Sequence, residues 1–195
     1  MDVYFIRHGQ SEANVSGVYC GWNQVSLTEK GFTDAKRTGT LLKDIPFEKI
    51  YCSDLLRARQ TCETALPNCT YEVDPLLREI NVGRLVGLSV QEAQTLYGER
   101  HRCVREESDY TPFDGENRPM QLERIQQFFK KLEANATDGN IAVFCHYGTI
   151  CCALWHVLGI PFDFDQAILS NGSCSIFRWS GDRWQLLKWN MTAAI

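Results

Sequence analysis

Val3-Tyr4-Phe5-Ile6-Arg7-His8-Gly9-Gln10-Ser11 is the stretch that decides the fold. A short apolar run of β-forming residues breaks off in an arginine, an imidazole and a glycine. A buried strand looks like this when it delivers polar side chains to the edge of a sheet. The pattern recurs at Ile141-Ala142-Val143-Phe144-Cys145, where His146 follows directly and Gly148 opens a helix. In open α/β sheets, ligands bind at the carboxyl ends of the strands. A guanidinium beside an imidazole suits an anion there, phosphate above all. The helix start after His146 adds free backbone N–H groups and the positive end of a helix dipole, which makes an anion seat.

Working outward, strand-like segments recur at 2–6, 48–52, 71–74, 141–145, 174–179 and 184–189, and helix-like segments alternate with them. Thr28 reads as an N-cap, and Ser53 or Asp54 as the cap of a helix that runs to about Leu66 before Pro67 stops it. Ser89 with Glu92 makes a capping box. Leu122, Ile125, Phe129 and Leu132 mark the buried face of a later helix. Ser180-Gly181-Asp182 reads as a tight hairpin turn. The alternation predicts an α/β three-layer sandwich, with a mostly parallel central sheet, an antiparallel edge strand and helices on both faces. The chain reads as one domain over 1–195, with a cap-like insertion around 98–119, its least regular stretch.

Bulk properties bound the function. With 195 residues, 44% apolar and 23% charged, the chain has the composition of a soluble domain with a sizeable core. A net charge of −4 argues against general binding to nucleic acid or to a membrane surface. It leaves room for a small basic pocket. Neither a leader-like start nor a run of about 18 apolar residues is present, so a cytoplasmic protein is expected. Nine cysteines without C-x-x-C pairs read as free thiols, and their spacing fits no metal site.

Two further residues carry possible chemistry. Arg57 falls in the first turn of a helix after the strand at 48–52, where it opposes the helix dipole. It is either a pocket cation or a solvated charge, and the second account suits Arg59. Glu79 follows the short strand at 71–74. It is either a proton donor beside a phosphate or a surface partner of Arg78.

Taken together, Arg7-His8-Gly9, the Ser-x-x-x-Arg-Ala-x-Gln-Thr segment at 53–61, Leu77-Arg78-Glu79 and His146 after a strand resemble the histidine phosphatase superfamily. The phosphoglycerate mutase-like branch is the most similar. The resemblance implies that His8 is the nucleophile that becomes phosphorylated and Glu79 the general acid and base. It implies that Arg7, Arg57 and His146 surround the transferred phosphoryl group, and that Asn14, Cys20 and Gly21 bind substrate. It implies no metal and no cofactor. The partner is then a small phosphorylated molecule, with no nucleic acid or membrane; a homodimer stays open.

Within the family, several positions depart from the usual pattern. Gln10 replaces a common Glu, Arg84-Leu85-Val86-Gly87 stands where relatives carry a Trp-Glu pair, and Tyr147 replaces a Gly. Cys20 aligns with a Thr, and Val82 replaces a tyrosine typical of the mutases. With the short length, this favours a metal-independent phosphomonoesterase of the histidine acid phosphatase type, acting on a metabolite such as α-ribazole phosphate. The alternatives are a cofactor-dependent phosphoglycerate mutase, or a phospholigand-binding module without turnover. A dinucleotide-binding domain fails because no G-x-G-x-x-G follows the first strand.

Overall fold

In a computed structural model that describes residues 1–162 and 164–193, the opening run forms β1 (Asp2–Arg7). On one side β1 pairs in parallel with β4 (Asn140–Cys145), and β4 pairs in parallel with β2 (Phe47–Cys52). A two-residue β3 (Glu72–Val73) continues the parallel part beyond β2. On its other side β1 pairs antiparallel with β5 (Cys174–Trp179), which forms a hairpin with β6 (Trp184–Met191). The order is β3-β2-β4-β1-β5-β6, so all six expected strands form one mostly parallel sheet with antiparallel pairing at one edge. The hairpin closes where expected: Ser180 N–H donates to Arg183 O, and Gly181 supplies the positive φ of the turn.

The period of two along β1 and β4 sends alternate side chains into two cores. Val3, Phe5, Ile141 and Val143 pack with Ile125, Phe128 and Phe129 of α6 (Arg118–Ala134) and Ile150 and Leu154 of α7 (Tyr147–Leu158). Ile6, Ala142 and Phe144 pack on the other face, with Leu42 of α2 (Glu29–Leu42) and Ala58, Cys62 and Ala65 of α3 (Leu56–Ala65). A short α1 (Glu12–Ser16) precedes α2. The three layers are therefore those the alternation predicts.

Local signals hold with two corrections. Thr28 caps α2, Ser89 and Glu92 form the capping box of α4 (Val90–Tyr97), and Gly159 ends α7 in the left-handed conformation. α3, however, starts at Leu56 behind Leu55, whose side chain cannot cap; the Ser53 hydroxyl reaches only Leu55 N, at 3.4 Å, and Gln24 Oε1 accepts from Leu56 N at 2.7 Å. In α6 the buried face runs through Gln121, Ile125, Phe128, Phe129 and Leu132, and Leu122 is only half-buried.

The chain leaves the sheet after β3 and returns at α6. Between them lie α4, α5 (Arg102–Glu107) and four 3-10 turns. Ile80, Val82, Leu85, Ala93, Val104, Tyr110 and Phe113 give this excursion a small apolar cluster of its own. It begins near Pro75, well before the irregular stretch at 98–119. No described helix is long and apolar enough to cross a membrane. All nine cysteines are free thiols, six of them buried.

Candidate active site

The register of the sheet builds the centre of the site. Arg7 of β1 faces Cys145 of β4, so the next residues of the two chains, His8 and His146, come side by side. Their rings lie 5.2 Å apart between centroids, tilted by 57°. One strand further, Cys52 of β2 faces Phe144, which brings Ser53 against His146: Ser53 Oγ stands 2.9 Å from His146 Nε2. His146 is fully buried, and its Nδ1 has no hydrogen-bond partner among the described residues.

Hydrogen bonds fix the His8 tautomer. Nδ1 lies 2.7 Å from the Gly9 carbonyl, which can only accept, so Nδ1 carries the proton and Nε2 is left as the lone-pair nitrogen. Gly9 is needed for a close approach: a Cβ there would stand 2.3 Å from Gly31 O. Its N–H donates to Thr61 Oγ1, which ties the turn to α3.

Burial holds the His8 imidazole well below its usual pKa, and the Arg57 and Arg7 guanidiniums push in the same direction. His146 is lowered well below its usual range for the same reasons, burial first and then Arg57, His8 and Arg7. Both rings are neutral at pH 7.

The cations converge from different elements. Arg57 is only 2% exposed, which rejects the solvated-charge account. Its Nη1 donates to Asn23 O at 3.1 Å and its Nη2 to Gly21 O at 2.9 Å. Arg59 is about half exposed, as its surface reading requires. The Arg7 guanidinium donates to Leu169 O and lies 5.3 Å from the centroid of the Tyr147 ring, and its Nε has no partner among the described residues. Tyr147 in turn donates its hydroxyl to Phe164 O and Ala167 O.

Glu79 is not paired with Arg78, which forms an ion pair with Asp54 and stacks on Trp22 at 4.5 Å. The Glu79 carboxylate instead accepts from Ile80 N at 2.8 Å, Gln121 Nε2 at 3.1 Å and Gly148 N at 3.1 Å. The anion seated on the start of α7 is thus Glu79 itself, a correction to the expectation that this helix end stands free for a ligand. Gln121 is fully buried and also accepts from Arg118 Nη1 at 2.9 Å.

Behind the Glu79 loop, Arg124 donates to Leu76 O, Arg78 O and Glu79 O while paired with Glu116 at 2.8 Å. Trp22 Nε1 donates to Glu79 O at 2.7 Å.

The remaining expected residues rim this centre. Asn14 is exposed at the end of the capping box of α1; its Oδ1 accepts from Ser11 and from Asn171 Nδ2, which also donates to His8 O. Gly21 contributes its carbonyl to Arg57. Burial raises the Cys20 thiol pKa while Arg57 opposes the rise, so this is not an activated thiolate. Among the departures, the Gln10 side chain accepts from Thr28 at the start of α2, and Arg84 pairs with exposed Asp114 in the excursion.

Ser53, Arg118, Gln121 and Arg124 escaped the sequence reading. Gln121 left a signal, since it stands four residues before Ile125 on an otherwise apolar stripe. Ser53 left none distinguishable from a helix cap.

The sequence profile of the histidine phosphatase superfamily (branch 1) matches residues 3–192. The chain belongs to this superfamily. Within it, the chain is similar to an adenosylcobalamin/alpha-ribazole phosphatase of Salmonella typhi, 30% identical over 165 residues, 83% of this chain and 81% of that one. It is equally similar to a 2,3-bisphosphoglycerate-dependent phosphoglycerate mutase of Azorhizobium caulinodans, 30% identical over 188 residues and 91% of each chain. A putative alpha-ribazole-5'-P phosphatase from Escherichia coli K-12 superposes with a TM-score of 0.90 at 25% identity, covering 98% of this chain and 96% of that one. The superfamily's fold thus runs through nearly the whole chain, with His8 and His146 directly after its two central parallel strands.

Proposed function

We propose that this superfamily member is a metal-independent phosphomonoester hydrolase that works through a phosphohistidine on His8. One observation carries the reading: a buried neutral imidazole, with Nδ1 tied to Gly9 O, faces a second buried imidazole between two arginines. The Nε2 lone pair attacks phosphorus, and the P–O bond to the alcohol breaks. Charge then spreads over three equatorial oxygens, where fixed cations contribute most. Arg7 and Arg57 supply two positive charges for a phosphate dianion. If the Ser53 hydroxyl donates to His146 Nε2, His146 presents Nδ1–H to a phosphoryl oxygen, which accounts for its buried, unpartnered nitrogen. Asn14 offers its amide N–H from the rim, and Cys20 and Gly21 shape the wall around Arg57.

Beside a bound phosphate dianion Glu79 takes up a proton, gives it to the departing alkoxide and then takes one from the water that hydrolyses phosphohistidine. That Gln121 and the Gly148 N–H, two residues after His146, hold its carboxylate supports this role. The excursion between β3 and α6 serves as the cap over this site. The substrate is a small phosphorylated metabolite. α-Ribazole phosphate is the first candidate, on the names of the Salmonella relative and the Escherichia coli neighbour.

A phosphoglycerate mutase is the second reading, favoured by the Azorhizobium relative. A panel of phosphomonoesters assayed with divalent metals chelated, for phosphate release and for phosphoglycerate isomerisation, separates the two. Phosphate release that His8→Ala abolishes is expected. Isomerisation without release would make the protein a mutase, and neither activity would make it a binding module.

A further inference from the structure

Two side chains of α6 form a relay that ends on Glu79. Arg118 and Gln121 stand three positions apart, on one face of the helix. The Arg118 guanidinium lies 4.5 Å over the Phe164 ring, and its Nη1 donates to Gln121 Oε1 at 2.9 Å. Gln121 is fully buried, and its Nε2 donates to Glu79 Oε1 at 3.1 Å. All three side chains close on the bare Cα of Gly148. A Cβ there would stand 2.3 Å from Glu79 Oε1, 2.9 Å from Arg118 Nη1 and 3.0 Å from Gln121 Nε2.

The donors and acceptors of this relay allow one arrangement. A guanidinium has no acceptor, so it turns the carbonyl end of the Gln121 amide towards itself and the N–H end towards Glu79. Each carboxylate oxygen has two lone pairs. On Oε1 both are taken, by Ile80 N–H at 2.8 Å and by Gln121. On Oε2 the Gly148 N–H takes one, at 3.1 Å, and among the described residues the other stays open. A proton entering this carboxyl therefore settles on Oε2. With the amide reversed, its carbonyl would face Oε1 and draw the proton into a bond with Gln121.

We propose that Gln121, its amide set by Arg118, is a positioning residue that assigns the proton of the general acid to Glu79 Oε2. The proposal rests on the phosphomonoesterase reading above and adds the atom that protonates the departing alkoxide and the residues that select it. The Oε2–H bond breaks as the alkoxide takes the proton, and the carboxylate keeps the electron pair.

The test is the ratio of kcat/KM for glycerol 3-phosphate to that for p-nitrophenyl phosphate, whose leaving group needs little protonation. Arg118→Met keeps a stem over Phe164 but no donor, and Gln121→Met removes the amide. Each should lower the ratio by about tenfold or more, the scale of a small misplacement of a catalytic group. Arg118→Lys, which like arginine can only donate, should hold the ratio within about threefold of wild type.

An unchanged ratio in Arg118→Met would overturn the proposal, whether both rates hold or both fall together, as they would from a loosened fold. So would a drop in Arg118→Lys as deep as in Arg118→Met. Should Gln121→Met fail to fold, Arg118→Met decides alone, since Arg118 is only half-buried. Glu79→Gln is measured alongside. Equal losses on the two esters there would remove Glu79 as the acid, and the proposal with it. A selective loss in Glu79→Gln without one in Arg118→Met would sink the proposal and leave the phosphomonoesterase reading standing.

Discussion

At the scale of single residues, the site is organised by which groups are kept neutral. His8 and His146 are uncharged because they are buried among arginines, and this has a consequence for stability. An unfolded histidine takes a proton near pH 6.5, whereas these two resist it in the fold. Below about pH 6.5 the unfolded chain therefore binds more protons than the folded one, and stability falls as pH falls. Each histidine contributes up to about 1.4 kcal/mol per pH unit between its unfolded and folded pKa values. The midpoint of thermal unfolding should drop between pH 7 and 5, with a shallower slope in His146→Gln. An unchanged slope would mean that His146 is charged in the fold. A neutral His8 also predicts that the acid limb of kcat/KM lies below pH 6.5.

Glu79 is tested by leaving group. Glu79→Gln should lower hydrolysis of alkyl phosphates by about 10²–10⁴-fold, the usual share of general acid catalysis. The loss with p-nitrophenyl phosphate, whose leaving group needs little protonation, should be much smaller in the phosphorylation step. Equal losses would remove Glu79 from the acid's role. In the sequence, His8, His146 and Arg7 were legible as residues that end apolar strands. Arg57 and Glu79 were legible only through the family's motifs, because their neighbours Asn23, Gly21, Gln121 and Gly148 come from distant parts of the chain.

At the scale of elements, strand register and helix starts set the geometry. Gly148 packs directly against the Glu79 carboxylate, and a Cβ there would stand 2.3 Å from Glu79 Oε1. On helix propensity alone, Gly148→Ala would stabilise α7 by about 1 kcal/mol. The Cβ would instead occupy the place of Glu79 Oε1, so the variant should lose activity on alkyl phosphates while α7 still forms. Circular dichroism with paired alkyl and aryl substrates checks this.

The Arg124–Glu116 pair is mostly buried and holds three backbone carbonyls of the loop, so Arg124→Ala should destabilise by about 3 kcal/mol in urea unfolding. The exposed pair Arg84–Asp114 should contribute under about 1 kcal/mol by the same measurement. Six strands and most helix caps could be read from period and capping residues, since those signals are local. The start of α3 could not, because its first N–H is satisfied by Gln24, 32 positions away.

At the scale of the molecule, β2, β4 and β1 are adjacent and parallel, and their carboxyl ends deliver Ser53, His146 and His8 to one edge. The excursion between β3 and α6 then brings Glu79, while Arg118 and Gln121 come from the helix by which the chain returns. The alternation of strands and helices was enough to foresee the layers. The extent of the excursion was not foreseen, because its seven-residue apolar cluster is assembled from short pieces without a common period.

Covalent transfer to His8 without a metal can be read out by trapping the enzyme during turnover. Protein mixed with p-nitrophenyl phosphate in excess chelator is quenched in alkaline denaturant and digested, and the peptide carrying His8 is weighed. This peptide should gain the mass of one phosphoryl group, and His8→Ala should show neither the label nor turnover. Steady phosphate release with no labelled peptide, or undiminished release from His8→Ala, would contradict it.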